Sequence, residues 1–460
     1  MKSFKHLWLG WMMAISSAGL GLAQVGPDVI VADLPSVAHW GAVNVNGELI
    51  RGYSIATTSC NIGDMDALWI ASTNQHPVIA QHIYRLENGR LEQIGISWVK
   101  HSFATINNGI CGQCNGHLGS VLGPGCSDPY STGLNGGQSR LGPRSDINAS
   151  TGVFPYPYTI GWQQTGNAIY KRCQVRDVDI NPSQHPGALF FIEGHYVTQD
   201  DASWGNQDNN ASYRRVQVNS ATSISVRGTT QRQSPAIFAW HDHGLGVNQP
   251  DPDVVLRKIQ VPNDGRYWVG AKATDLGNGM WHYEYAVQNI SSDRSGGAFS
   301  VPVPAGVNVT NIGFHAPFYH SGEPYDNSPW TVNVGGGSIT WSSPETFAQN
   351  PNSNALRWGT LYNFWFDADA APVDGDVTLA FFKPGGAGDP DSMTAPAVPV
   401  PGGVPCVGDL DGDGDVDLVD LSSLLNVFGT SDPAGDLDGD GDVDVIDLSL
   451  LLDNFGATCP

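Results

Sequence analysis

Positive charge is scarce in this chain, with 22 Lys and Arg against 45 Asp and Glu in 460 residues and a net charge of −23. No Lys/Arg cluster occurs, so the electrostatic footprint of a nucleic-acid binder is missing. Charged residues of both signs amount to 15%, and no long stretch of 3.6-residue apolar spacing precedes residue 406, which argues against a helical body. Glu is rare before the tail, and neither a complete Ser/His/Asp triad nor an acid/base pair of motif grade is visible. After residue 23 no apolar run approaches 18 residues, so no membrane-crossing helix is expected.

An export pattern opens the chain. Lys2 and Lys5 precede an apolar run from Leu7 to Leu22, with small Gly21 and Ala23. This predicts a secretory signal over 1–23, cleaved before Gln24, and an extracellular or surface-associated product. In that setting cysteines tend to pair.

The body is rich in turn formers, with most of the chain's 56 Gly and 30 Pro. Short alternating runs separated by turn residues predict an all-β body. They are Leu189–Val197, Tyr213–Val218, Trp281–Val287, Ala298–Val303, Val309–Phe314, Ser338–Trp341, Leu361–Phe366 and Val377–Phe382. The even spacing of the later runs predicts a β-sandwich of immunoglobulin or jelly-roll kind over 263–388, behind a β-rich, cysteine-containing domain over 24–262. Residues 389–405 read as a Pro-rich spacer. Gly123–Thr159, poor in large aliphatics, reads either as a cover over a site or as a cross-linked surface loop.

Five cysteines belong to the body, Cys60, Cys111, Cys114, Cys126 and Cys173. Export favours disulfides among them, in one of 15 arrangements that leave one thiol over. Cys111, Cys114, Cys126 and His117 are the alternative, a tetrahedral zinc set.

Three other constellations carry possible chemistry. His241 and His243 would share a side of an extended chain and, with Glu193 and His195 from another strand, offer the ligands of a transition metal. The bland alternative is a polar turn in which Asp242 bonds its own backbone. Glu193 and Glu284, with Asp200, Asp201 and Asp208, are the candidate carboxylates for a glycosidase, which needs two of them roughly 5 to 10 Å apart. Trp204, Trp240, Trp330 and Trp358 suit either sugar stacking or core packing.

The most specific signal is the tail. Residues 406–460 contain 14 Asp and no Glu, Lys or Arg, which leaves −11 for the body once the signal's two lysines are counted. The run Asp409–Asp420 recurs as Asp436–Asp447, and 16 of the 21 positions from Asp409 to Gly429 are identical 27 residues later. A twelve-residue calcium loop takes oxygen ligands from positions 1, 3, 5, 7, 9 and 12 with Gly at 6. Those positions are Asp409, Asp411, Asp413, Asp415, Asp417 and Asp420 with Gly414, then Asp436, Asp438, Asp440, Asp442, Asp444 and Asp447 with Gly441. Two calcium ions are therefore expected. Leu421, Leu424, Leu425 and Phe428, and then Leu448, Leu451, Leu452 and Phe455, fall on one face of a helix after each loop. Two such stripes are expected to bury against each other, and a Cys406–Cys459 bridge would tie the module's ends, worth about 4 kcal/mol in the chain-entropy model.

These paired loop-helix units resemble a type I dockerin. The resemblance implies a small EF-hand-like α module that docks onto a cohesin domain, through loop positions 10 and 11. Here those positions are Leu418 and Val419, then Val445 and Ile446. It also implies a secreted modular protein concerned with polysaccharide binding or degradation. The competing expectations are a non-catalytic adhesion or structural protein, and a metal-dependent enzyme around His241 and His243.

Overall fold

The computed structural model describes residues 25–115, 117–318, 322–403 and 407–457. The expected signal over 1–23 and the expected Cys406–Cys459 bridge lie outside them. The described chain is mainly β, and all eight expected runs lie in or overlap strands.

The first domain is a strongly curved antiparallel sheet. Its main path runs, in spatial order, Ser223–Val226, Ala211–Ser220, Leu189–Val197, Val78–Glu87, Arg90–Ile96, Cys173–Arg176, Glu48–Ile55 and Val37–Val45. The two end strands come together, giving the sheet a barrel-like curl. The Tyr53 hydroxyl, donating to the Ala221 carbonyl, bridges that closure. Tyr53, Ile83, Phe190, Ile192, Tyr196 and Val216 fill the inside. A three-stranded sheet, Val29–Asp33, Thr57–Asn61 and Ser127–Tyr130, packs against it. Disulfides Cys60–Cys111 and Cys114–Cys126 fasten the neighbouring loop, so the zinc set is excluded because its three thiols are already bonded. Cys173 is free and buried.

Gly123–Thr159 is not structureless, and the Cys114–Cys126 disulfide cross-links it. It contributes the strand Ser127–Tyr130, the short helix Thr132–Asn135 and buried Asn135, Arg144 and Phe154.

The second domain is a sandwich of two five-stranded antiparallel sheets. One runs Val255–Gln260, Arg266–Gly277, Met280–Asn289, Thr360–Ala368, Val309–His315; the other runs Thr331–Gly335, Ser338–Ser342, Gly296–Pro302, Pro372–Phe381, Ser392–Pro401. An aromatic core of Tyr285, Phe299, Trp341, Phe364 and Phe366 lies between them.

Both expected boundaries move outward. The sandwich begins at Val255 rather than 263, and the supposed spacer 389–405 contains its last strand, Ser392–Pro401, paired with Pro372–Phe381. Three prolines fit there because the strand lies at a sheet edge, where a missing N–H leaves no ladder bond unmade. Ala395, Val398 and Val400 are buried, and Arg257 donates to the carbonyls of Pro396 and Ala397.

The two domains share a third core. Tyr84, Phe191 and Tyr213 from the first meet Ala286 and Leu361 from the second, around Ile237 and Trp240 at the helix Phe238–His243.

Candidate calcium loops, docking face and interdomain seam

Each acidic loop leads into a helix, Leu418–Val427 in the first copy and Val445–Asp453 in the second. The position-9 aspartate starts the helix. Asp417 accepts from the Val419 N–H at 2.7 Å, and Asp420 accepts in return from the Asp417 N–H at 2.8 Å. This reciprocal capping box satisfies donors that a helix N-terminus leaves open. Asp420 also accepts from the Leu410 and Asp411 N–H groups, so the position-12 carboxylate gathers both ends of its loop. Asp444 and Asp447 repeat each bond with Ile446, Leu437 and Asp438. Gly414 and Gly441 have φ of 95° and 100°, a turn that side-chain-bearing residues adopt only at a cost.

Carboxylate oxygens of Asp409, Asp411 and Asp420 lie within 4.8 Å of one another, as do those of Asp415, Asp417 and Asp420, and those of Asp436, Asp438 and Asp447. Oxygens bound to one calcium at about 2.3–2.6 Å have that spacing. The Asp413 charge pushes the Asp415 carboxyl above its ordinary value, and Asp440 does the same to Asp442. Asp415 Oδ1 is covered and has no hydrogen-bond partner. An all-oxygen, mutually repelling set with an unpaired covered oxygen fits a hard divalent cation.

The two copies interlock. Val416 exchanges backbone hydrogen bonds with Gly456 and Ala457, and Val443 with Gly429 and Thr430, so position 8 of each loop pairs with the end of the other helix. Val416, Leu424, Val443 and Leu451 form the buried core. The expected stripes divide here. Leu424 and Leu451 are buried with Leu421 and Leu448 packed against them, whereas Leu425, Phe428, Leu452 and Phe455 are exposed. With Leu418 (72% exposed), Val419, Val445 (65%) and Ile446 they give each copy four uncovered apolar side chains at equivalent positions.

The transition-metal set of His241, His243, Glu193 and His195 does not assemble. His241 and His243 lie on the helix Phe238–His243, where residues two apart point away from each other. His243 Nδ1 accepts from the Asn248 N–H at 2.8 Å, and Asp242 takes a bond from the Tyr213 hydroxyl rather than from its own backbone. Among the described residues, groups of three or more potential ligands occur only in the tail. Glu193 and His195 do share a face of Leu189–Val197, but at the interdomain seam. Glu193 accepts from His82 Nδ1 at 2.6 Å, the Tyr84 hydroxyl at 3.0 Å, the Ala236 N–H at 2.6 Å and Gln288 Nε2 at 2.9 Å. Arg144 Nη1 donates to His82 Nε2 at 3.1 Å, which assigns the proton to Nδ1 and makes the histidine neutral. Burial alone would raise the Glu193 carboxyl. The His82 hydrogen bond and neighbouring donors outweigh it and hold it below its usual value. His195, enclosed beside Trp358, is pushed down to about 3 by burial.

Glu284 is equally committed. Arg90 donates to its Oε2 through Nε at 2.8 Å and Nη2 at 2.6 Å, and His282 Nε2 lies 3.3 Å away. Asp201 is buried with Asn210 Nδ2 at 2.7 Å. Neither glutamate is presented to an open cleft as a paired acid and base. Trp240, Trp330 and Trp358 are core residues, and Trp204 is half-exposed.

Sequence reasoning missed Arg144, whose Gly- and Pro-rich surroundings look like surface loop. It also missed a polar groove beside the helix Gln199–Ser203, whose amide side chains carry no charge or spacing that would mark them.

No protein-family model and no curated protein matches the chain. Among solved structures, the N-terminal domain of the Streptococcus gordonii adhesin Sgo0707 aligns at 10% identity over 76% of this chain and 61% of that one, with a TM-score of 0.18, a level that carries no argument about fold or function.

Proposed function

We propose that the tail is a calcium-dependent docking module of the dockerin kind, which fastens a non-catalytic β body to a cohesin-type domain outside the cell. The observation that carries this reading is the doubled geometry. Two acidic loops with matching internal hydrogen bonds each launch a helix, and each copy leaves the same four positions apolar and uncovered. Bound calcium would neutralise the clustered carboxylates. Asp409, Asp411, Asp413, Asp417 and Asp420, with the carbonyl of Asp415, would hold it in the first loop, and the equivalent residues in the second. The helix caps then fix where Leu418, Val419, Val445 and Ile446 stand.

An exposed apolar group of this kind, carried by an acidic frame, suits a partner surface that is apolar at its centre and does not repel negative charge at its rim. Two disulfides in the body are compatible with an oxidising compartment. The non-catalytic reading of the body rests on Glu193 and Glu284, the strongest acid/base candidates, both being held by structural partners.

The test is calorimetric titration of the full chain with a panel of purified type I cohesin modules, in calcium and in EDTA. Saturable binding in calcium, abolished by chelation and by Leu418→Glu combined with Val445→Glu, is expected. Binding that persists in EDTA, or that ignores the double substitution, refutes the proposal, as does failure of every module in the panel.

A further inference from the structure

We infer that the first domain holds a calcium ion of its own, between Asp28, Asp201, Asn209 and Asn210. Asp28 immediately precedes the strand Val29–Asp33, Asp201 lies on the helix Gln199–Ser203, and the two asparagines lead into Ala211–Ser220. Their side chains form one connected set. Asn209 Nδ2 donates to Asp28 Oδ2 at 3.1 Å, and Asn210 Nδ2 donates to Asp201 Oδ2 at 2.7 Å. The same Asp201 oxygen accepts from the Val29 N–H, next to Asp28, at 3.3 Å.

One oxygen of each residue is left over. Asp28 Oδ1, Asp201 Oδ1, Asn209 Oδ1 and Asn210 Oδ1 are all covered and accept no hydrogen bond. Asp28, Asp201 and Asn210 are completely enclosed. Each asparagine gives its amide nitrogen to a carboxylate, which fixes the other end of the amide as the bare carbonyl oxygen. Among the described residues, the two carboxylates accept only from these neutral donors, so two buried negative charges lack a positive partner, a costly arrangement. Burial pushes the Asp28 carboxyl up to about 6, and burial together with the Asp28 charge pushes Asp201 well above its usual value.

The donor set decides the ligand. Calcium takes carboxylate, amide and main-chain oxygens in a flexible geometry, whereas magnesium keeps several waters that an enclosed set does not house. A water molecule has two hydrogens for four acceptors and neutralises neither charge. Half of the set is amide, so it forms no group of three acidic, histidine or cysteine ligands of the kind found in the tail. The ion would join the first strand to the segment that follows the helix Gln199–Ser203. Asp208 in that segment accepts from the Ser291 hydroxyl at 2.6 Å and pairs with Arg266 at 3.3 Å, so ordering the segment also serves the contact with the sandwich. An ion so enclosed enters as the segment folds, and is already in place when a folded chain is titrated. This inference concerns the body and stands whether or not the tail docks to a cohesin.

All 14 Trp precede residue 406, so tryptophan emission reads the body and not the tail. The experiment unfolds the full chain in urea, refolds it at neutral pH in EDTA, in calcium or in magnesium, and melts it in the same buffer. Calcium should raise the tryptophan-detected midpoint by about 5 °C or more over EDTA, and magnesium should not. Asp201→Asn puts an amide nitrogen where the unpartnered oxygen stood. It should abolish the calcium response while melting no lower than the parent in EDTA, because a repelling buried charge is gone. Asn209→Leu, at a half-buried position, should also lose the response, and it decides alone if Asp201→Asn does not fold. The inference is overturned by no calcium response in the parent, an equal response to magnesium, or an undiminished response in a folded variant. It is also overturned if Asp201→Asn melts below the parent by the same margin in EDTA and in calcium.

Discussion

Nδ1 of His82 lies 2.6 Å from Oε1 of Glu193, and both side chains are completely enclosed where the two β domains meet. Glu193 also holds Ala236 at the start of the bridging segment and Gln288 on a sandwich strand, so one carboxylate ties three parts of the fold. Glu193→Gln puts an amide donor among these donors and removes the charge they surround. Breaking a buried charged network from one side costs about 3 kcal/mol. Urea denaturation followed by circular dichroism should show that loss. An unchanged midpoint would mean that the carboxylate is held for some purpose other than stability.

Acid should weaken the same region. His76 is pushed down to about 4 and His195 to about 3, both chiefly by burial, and His82 is lowered for the same reason. An unfolded histidine titrates near 6.5. Between that value and the folded ones, the unfolded chain binds more protons, so the contribution of these histidines is complete above about pH 6.5 and is lost as pH decreases. Burial raises Asp28 and Asp128 to about 6, which acts in the opposite sense over the same window, so calorimetry in EDTA should show the histidine part as a more acid-sensitive body transition in the parent than in His195→Gln between pH 6.5 and 4. His282 carries the opposite sign: although burial works against it, Glu284 and Asp367 raise it, so its contribution is lost as pH rises above that range. His282→Gln should remove only this alkaline component.

Local chemistry explains what the sequence reveals and what it hides. The acidic loops are legible because the clustered carboxylates, turn glycine and capping aspartate all fall within twelve residues, and strands such as Leu189–Val197 because turn residues bound them. Long-range packing hides the rest. Only the fold shows that Glu193 faces His82 from a strand 111 residues away, or that Phe428 and Phe455 stay outside a small core. His241 and His243 mislead because the extended reading of their segment gives way to a helix packed in the seam. Proline content hides Ser392–Pro401, since a strand whose N–H groups are partly missing and a solvated spacer have the same composition.

That last strand can be tested by truncation. A chain ending at residue 403 should melt cooperatively like the full body. One ending at 391 loses the buried Ala395, Val398 and Val400 together with the Arg257 contacts, and should lose the sandwich transition. Within the full chain, Val398→Ala should cost roughly 1–3 kcal/mol, the range for removing buried methyl groups. Identical melting of the two truncated chains would return the segment to the role of a spacer.

Cys173 should behave as an inert core residue. Its thiol is fully buried, and burial raises its pKa far above the usual range, so the reactive thiolate is suppressed. Without reductant, an alkylating reagent should leave Cys173 unmodified in the native chain and label it after denaturation, as read by mass spectrometry of its peptide. Rapid native labelling of Cys173 would place it at an accessible surface.

The position-12 aspartates separate calcium binding from helix capping. Asp420 accepts from Leu410, Asp411 and Asp417, and so shapes its loop even without an ion, while its charge would in addition serve the cation. Asp420→Asn keeps one carbonyl acceptor and removes the charge; Asp420→Ala removes both. Calorimetry on the full chain should count two calcium ions, falling to one strongly bound ion in either variant, with affinity at the altered loop reduced tenfold or more. In EDTA the two should differ, with Asp420→Ala losing more tail helicity than Asp420→Asn because its capping box is gone. Asp447 should give the same pattern in the second loop, since its bonds to Leu437, Asp438 and Asp444 repeat those of Asp420. A stoichiometry of two that survives Asp420→Ala would show that the ion is held without position 12, and the loop assignment would fall with it.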